Sequence, residues 1–275
     1  MRKWLRTGYE YLALTLGLGI LGLVLLVWSP FAWLLSQAQS DRAGGFVGRV
    51  GRFVNMMCIR FYLWTLHATR AMRFDITALD ALRDDPPLII APNHPRLLDA
   101  FLVISRLPNV VCIMKNELMD NLLLRHGARL AGYIGNDSLI RMIRDSAHTL
   151  RSGNHLLLFP EGTRTVCDPV NPFTAAVALI AARARVPVQT VFIECDSPYL
   201  RKGCSLFKKP SLPITFRIRL GRRFDPPDDA RAFTRSLERY FRDELSTPTV
   251  MPVAASMMPR VPPPVSPGID CANPT

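Results

Sequence analysis

The sequence predicts an α/β fold, a largely parallel sheet flanked by helices, behind an N-terminal membrane-seated helical pair. Three observations predict it. Residues 11–40 carry no charge. Residues 46–74 place apolar side chains at helical spacing, with arginines between them. From about Ile76 onward, short apolar runs alternate with amphipathic helical stretches, the pattern of strands and crossover helices. A chain of 275 residues has room for such a domain plus an anchor, and 49% hydrophobic residues supply a core.

Residues 1–40 read as a transmembrane or membrane-embedded anchor. The run YLALTLGLGILGLVLLVWSPFAWLL reaches the roughly 20 apolar residues a bilayer crossing needs. Tyr11, Trp28 and Trp33 are amphipathic rings suited to the interface. Arg2, Lys3 and Arg6, with Ser36 and Ala38, also match the start and cleavage site of a signal peptide. A cleaved signal, however, has an apolar region of only about 7–15 residues, which favours a retained anchor. Arg42, Arg49 and Arg52 follow the span, so basic residues flank it on both sides. That suits a shallow or hairpin insertion as well as a crossing.

Residues 41–75 read as a basic amphipathic helix. Phe46, Val50, Phe53, Val54, Met57, Phe61, Trp64 and Ala68 fall at helical spacing, among Arg49, Arg52, Arg60, Arg70 and Arg73. Such a helix lies on a membrane or packs on the soluble domain, and the sequence supports the two equally.

Residues 76–246 form the α/β domain. Strands are predicted at 88–91, 110–114, 155–159, 186–193 and 214–220. Helices are predicted at 95–106, opened by Pro95, and at 138–152, capped by Asp137 or Ser138. Two more are predicted at 173–185 and at 230–245, the last started by Asp228 and Asp229. Residues 247–275 are proline-rich with few charges and read as a disordered tail.

The charge is lopsided, with 34 Lys+Arg against 22 Asp+Glu and a formal net charge of +12. That points to an anionic partner, nucleic acid or a membrane surface. No helix-turn-helix, zinc or aromatic-basic module is apparent, and the arginines gather around the membrane segments, so nucleic acid is excluded. Cys58, Cys112, Cys167, Cys195, Cys204 and Cys271 are scattered without a C-x-x-C pair, which reads as reduced thiols. The histidines are dispersed, and no metal is expected.

Two stretches carry chemistry. In an open α/β sheet, ligands bind beyond the carboxyl ends of the strands. APNHPRLLDA places His94 at such an end, with Asp99 one helical turn further on. A carboxylate bonded to one imidazole nitrogen sets the tautomer and leaves the other nitrogen as a base. FPEGTRT follows the strand at 155–159 and falls on the same edge. Gly162 permits a tight loop whose N–H groups face an anion. Arg164 offers a bidentate fork for phosphate. Glu161 is suited to anchor that arginine or to hold a substrate hydroxyl.

The two motifs together, in this order, resemble the H-x-x-x-x-D and F-P-E-G-T-R motifs of the glycerolipid acyltransferases of the 1-acylglycerol-3-phosphate acyltransferase type. The resemblance covers roughly residues 76–221. Lys115 and Glu117 in MKNEL, and the strand VPVQTV, are also similar to that family, and its paired N-terminal membrane helices match residues 11–74. The resemblance implies a membrane-bound O-acyltransferase acting on a lysophospholipid or related lipid. His94 and Asp99 are then catalytic, and Glu161, Gly162, Thr163, Arg164 and Lys115 bind substrate. Neither motif contains a serine or cysteine nucleophile, so the acceptor hydroxyl itself attacks the thioester, with His94 as general base.

The implied partners are the membrane, a lipid acceptor and an acyl-ACP or acyl-CoA donor, with no cofactor. The donors are made in the cytoplasm, which places the domain on the cytoplasmic face of the inner membrane. Two positions depart from the family pattern. Asn136, in GYIGN, stands where an arginine thought to help hold the acceptor phosphate is expected, and FTAA at 173–176 replaces an F-K-x-G-like start. An acceptor of the ornithine-lipid or aryl-polyene type is therefore the alternative, and a non-catalytic lipid-binding module a further one.

Overall fold

The computed structural model describes residues 2–37, 45–204 and 210–246. The disordered tail expected at 247–275 lies outside the described residues.

Two long helices come first, α1 (Arg2–Ser36) and α2 (Phe46–Ala68). Within α1, Gly8–Ser36 is long and apolar enough to cross a membrane. The pair has two kinds of face. Ala13, Leu14, Tyr62, Leu63 and Leu66 join the domain core with Ile90, Leu157 and Phe159. Phe31 and Leu34 of α1, and Phe46, Phe53, Phe61 and Trp64 of α2, are exposed. One stripe of α2 therefore packs on the domain, and another apolar stripe is left uncovered. Polar contacts tie the pair down. Trp28 Nε1 donates to Asn55 Oδ1 at 2.7 Å, Asn55 Nδ2 donates to Gly127 O at 3.0 Å, and the Ser29 hydroxyl donates to Leu122 O at 3.2 Å. Gly127 has no room for a side chain, since a Cβ there would lie 2.9 Å from Trp28 Nε1.

The helix predicted to 74 stops at Ala68. Arg70 takes a left-handed φ of 51°, and the chain enters strand β1 (Met72–Asp75). Met72 and Phe74 fit a period of two, with Arg73 and Asp75 exposed between and after them. Pairing decides: β1 lies parallel to the late strand at the sheet edge, with Met72 opposite Ile214. The sheet therefore begins at Met72 and not at residue 76.

The remaining elements are β2 (Ile89–Pro92), α3 (Asp99–Ile104), β3 (Val110–Met114), α4 (Asn116–Met119), α5 (Arg125–Leu130) and β4 (Ile134–Gly135). There follow α6 (Leu139–Arg151), β5 (His155–Leu157), α7 (Ala176–Ala184), β6 (Val188–Cys195), β7 (Ile214–Phe224) and α8 (Ala230–Ser246). The sheet order is β1-β7-β6-β2-β5-β3-β4, parallel throughout except for the antiparallel β6–β7 pair. Strand β2 is buried along its whole length, as a central parallel strand with both faces covered must be. Its far face carries α6, α7 and α8, with Leu150, Val177, Ile180, Leu237 and Phe241 in the core. Ser138 caps α6 by accepting from Arg141 N–H, as its position predicts. Asp229 accepts from the N–H groups of Arg231 and Ala232 at the start of α8.

Helix α3 does not begin at Pro95. It begins at Asp99, because Asp99 Oδ2 accepts from Arg96 N–H at 2.6 Å and holds the preceding residues in a turn. Helix α7 likewise opens at Ala176, after Phe173 N–H has donated to Glu238 of α8. Cys58, Cys112, Cys195 and Cys204 are free thiols, while Cys167 is disulfide-bonded, against the expectation of reduced thiols throughout.

Candidate functional site

The parallel register of β2, β5 and β3 sets Ile90, Leu157 and Cys112 side by side. Each strand therefore delivers the residues beyond its carboxyl end to one edge: His94 after β2, the E-G-T-R loop after β5, and Lys115 after β3. Asn93 makes the exit from β2. Its side chain donates to Ile193 O at 3.0 Å and accepts from Ile193 N–H at 2.7 Å. The amide thus continues the ladder to β6 while the backbone turns away.

His94 Nδ1 lies 2.9 Å from Asp99 Oδ2. Asp99 is fully buried, while the His94 side chain keeps 18% of its surface. An imidazole facing a carboxylate through Nδ1 carries its proton there and leaves Nε2 as the basic nitrogen. The ring stacks on Phe159, with centroids 3.9 Å apart and planes 20° from parallel. Asp99 Oδ2 thus accepts from both His94 and Arg96 N–H. Burial pushes the Asp99 carboxyl above the ordinary carboxylate range, against the lowering effect of those hydrogen bonds.

Glu161 ties the two motifs together. Its Oε1 accepts from His94 N–H at 2.9 Å and from the Thr165 hydroxyl at 2.8 Å, and its Oε2 accepts from Asn171 N–H at 2.9 Å. Thr165 N–H donates to His94 O at 2.8 Å, closing the link from the other side. Burial pushes the Glu161 carboxyl up, and the donors from Asn171, His94 and Thr165 oppose that rise. The structure places Glu161 on backbone and hydroxyl donors of the protein, and among the described contacts it holds no arginine.

Gly162 has a φ of 66°, which glycine adopts freely, and it is exposed at the loop tip. Thr163 and Arg164 are half-buried beside it. Arg164 Nη1 donates to Leu200 O at 3.3 Å, and the Thr163 hydroxyl accepts from Lys202 Nζ at 3.3 Å. Lys115 is exposed at the start of α4, on the same sheet edge, and has no contact with His94 among the described residues.

The structure thus brings His94, Asp99, Glu161, Gly162, Thr163 and Arg164 into one loop cluster, with Lys115 one strand further along the edge, after β3. Three further residues shape the cluster, none of them among the site residues predicted from the sequence. Arg96 is buried, with Nε donating to Ser197 O at 2.9 Å. Asn171 accepts from Val166 and Cys167 N–H and donates to Arg164 O at 3.1 Å, shaping the loop from within. Leu200 supplies the carbonyl that Arg164 meets. Only Asn171 had a local cue, as an asparagine between Val170 and Pro172 just past the motif.

The Acyltransferase family model matches residues 73–194. A 1-acyl-sn-glycerol-3-phosphate acyltransferase of Pseudomonas aeruginosa is 23% identical over 201 residues, 71% of this chain and 74% of its own. The 1-acyl-sn-glycerol-3-phosphate acyltransferase beta of Homo sapiens is 28% identical over 176 residues, 60% of this chain and 62% of its own. The crystal structure of the 1-acyl-sn-glycerophosphate acyltransferase PlsC from Thermotoga maritima shares the fold, with a TM-score of 0.63 at 18% identity. It covers 88% of this chain and 96% of its own.

Proposed function

From the premise that this chain is an acyltransferase whose family domain spans residues 73–194, we propose that it acylates a lysophospholipid at a membrane surface. The acceptor is of the 1-acylglycerol-3-phosphate type named in its relatives, and the donor is an acyl-ACP or acyl-CoA thioester. One observation carries the mechanism: His94 Nδ1 sits 2.9 Å from a fully buried Asp99 at the carboxyl end of the central strand.

The acceptor hydroxyl gives its proton to His94 Nε2 as its oxygen attacks the thioester carbonyl. Asp99 holds the ring in the required tautomer and stabilises the imidazolium that forms. The tetrahedral intermediate collapses, the C–S bond breaks, and the imidazolium returns the proton to the departing thiolate. The products are the new ester and the free thiol. Such a base contributes about 10²–10⁴ in rate. Glu161 keeps the His94 backbone in place, and Arg164 and Thr163 face the acceptor's anionic group.

The exposed apolar stripes of α1 and α2 support seating in a membrane, so the lipid acceptor enters from the leaflet. Donors made in the cytoplasm place the domain on the cytoplasmic face of the inner membrane. Asn136 favours the second reading, an acceptor other than a glycerophosphate. It is exposed and accepts from Asn116 N–H at 3.2 Å, so no cation stands at that position.

Lipid profiling by mass spectrometry of matched cells expressing the wild type or His94→Ala separates these readings. Loss of lysophosphatidate with gain of phosphatidate, in the wild type alone, is expected. A change confined to another acylated lipid names that lipid's headgroup as the acceptor. Identical profiles contradict acyl transfer by His94.

A further inference from the structure

The chain beyond β6 returns across both motif loops. Ser197 O accepts from Arg96 Nε, and Leu200 O accepts from Leu97 N–H at 3.2 Å as well as from Arg164 Nη1. Leu200 is buried and holds a φ of 67°, a left-handed conformation that is costly for leucine. One strained carbonyl thereby joins the H-x-x-x-x-D loop to the E-G-T-R loop. Two residues further on, Lys202 Nζ donates to the Thr163 hydroxyl.

This arrangement sets Lys202 Nζ on the Thr163 hydroxyl, while Arg164, the next residue of that loop, reaches the Leu200 carbonyl two residues before Lys202. Neither forms an ion pair with a carboxylate among the described residues. The acids of the same loop are engaged elsewhere: Glu161 with His94, Thr165 and Asn171, and Asp168 with Arg201. Like charges brought from two loops to one side of the site repel each other, and an anion that meets both gains charge-assisted hydrogen bonds. The sequence lacks a cation at Asn136, on the β4 side of the sheet. Lys202 supplies one from the β6 side.

We propose that Lys202, together with Arg164 and the Thr163 hydroxyl, binds a phosphomonoester, that of the lipid acceptor. The identity of that acceptor rests on the functional reading above; the placement of Lys202 does not. Lys202 is therefore a specificity-determining residue for phosphorylated acceptors.

The test is isothermal titration of full-length protein in detergent micelles with a short-chain 1-acylglycerol 3-phosphate. Wild type, Lys202→Met, Lys202→Arg and Arg164→Gln are compared. Parallel titrations use the same 1-acylglycerol without phosphate, and free CoA. Lys202 is exposed, so its replacement leaves the core untouched. Lys202→Met is expected to weaken the phosphorylated acceptor about tenfold or more, the share of one charge-assisted bond. Lys202→Arg is expected to retain most of the affinity, and binding of the unphosphorylated lipid is expected to stay unchanged.

Equal affinity of wild type and Lys202→Met overturns the proposal, whichever lipid is acylated. Weakening by Arg164→Gln alone overturns the role of Lys202 and leaves the functional reading standing. If the wild type binds the phosphorylated and unphosphorylated lipids equally, the phosphate reading of the whole loop fails. Loss confined to CoA assigns the cluster to the donor's phosphate and overturns the acceptor assignment.

Discussion

Glu161→Gln distinguishes a tie between the two motifs from a group that contacts substrate. The carboxylate satisfies three donors: His94 N–H and the Thr165 hydroxyl at Oε1, and Asn171 N–H at Oε2. A carboxamide keeps only one acceptor oxygen. With that oxygen on His94 and Thr165, the new NH₂ meets the Asn171 N–H, donor against donor, at a residue that is 4% exposed. A buried donor left unpaired costs about 1–3 kcal/mol. The two remaining bonds lose their charge assistance, while removal of a buried charge offsets part of the loss. The net destabilisation is about 2 kcal/mol, which lowers the melting temperature by about 4–8 °C in a chain of this size.

Thermal unfolding of the detergent-solubilised full-length protein measures it, and pH adds a second arm. Burial holds folded Glu161 above its ordinary range. Between the unfolded and folded values the native state binds the extra proton, so the Glu161 contribution declines as pH rises through that window. Glutamine does not titrate, so the penalty of Glu161→Gln is largest below the window and shrinks across it. An unchanged melting temperature with a raised acceptor KM would refute the reasoning and make Glu161 a substrate contact.

Asp99→Asn retains the acceptor oxygen for His94 and Arg96 N–H but removes the charge that stabilises the imidazolium. A fall in kcat of about 10²–10⁴ is expected, with acceptor KM nearly unchanged; a matching rise in KM would contradict the assignment. Trp64 is 62% exposed and stacks with Phe61, at 6.0 Å between centroids, on the uncovered stripe of α2. In a variant with Trp4, Trp28 and Trp33 replaced by Phe, reconstituted into vesicles, Trp64 fluorescence is expected to be quenched by lipids brominated on their acyl chains. Quenching only by a water-soluble agent would place that face in solvent.

The parts of the site legible in the sequence are those whose interactions are local. His94 and Asp99 are five residues apart, and their pairing follows from the turn between β2 and α3. The placement of the E-G-T-R loop follows from the edge rule for parallel sheets, because an apolar run leads directly into it. The illegible parts depend on backbone groups or on distant segments. Nothing in the type of residue 94 shows that its N–H meets Glu161, and nothing in LRKG announces that Leu200 O will meet two loops. Pro95 suggested a helix start, but the Asp99 side chain overrode it by accepting from Arg96 N–H. The helix read over residues 41–75 ran through Met72 and Phe74, and only pairing with Ile214 and Phe216 made them a strand. Strand β4 has two residues, too few for any period to show.

On the proposed mechanism, acyl transfer begins with His94 taking the proton of the acceptor hydroxyl. The most direct measurement of that step is the rate at which purified full-length protein forms phosphatidate from 1-acylglycerol 3-phosphate, with acyl-CoA and acyl-ACP each supplied as donor. Wild type and His94→Ala are compared at matched melting temperature. Turnover by the wild type and a loss of about 10²–10⁴ in kcat for His94→Ala are expected. Retention of wild-type turnover in His94→Ala would contradict that mechanism.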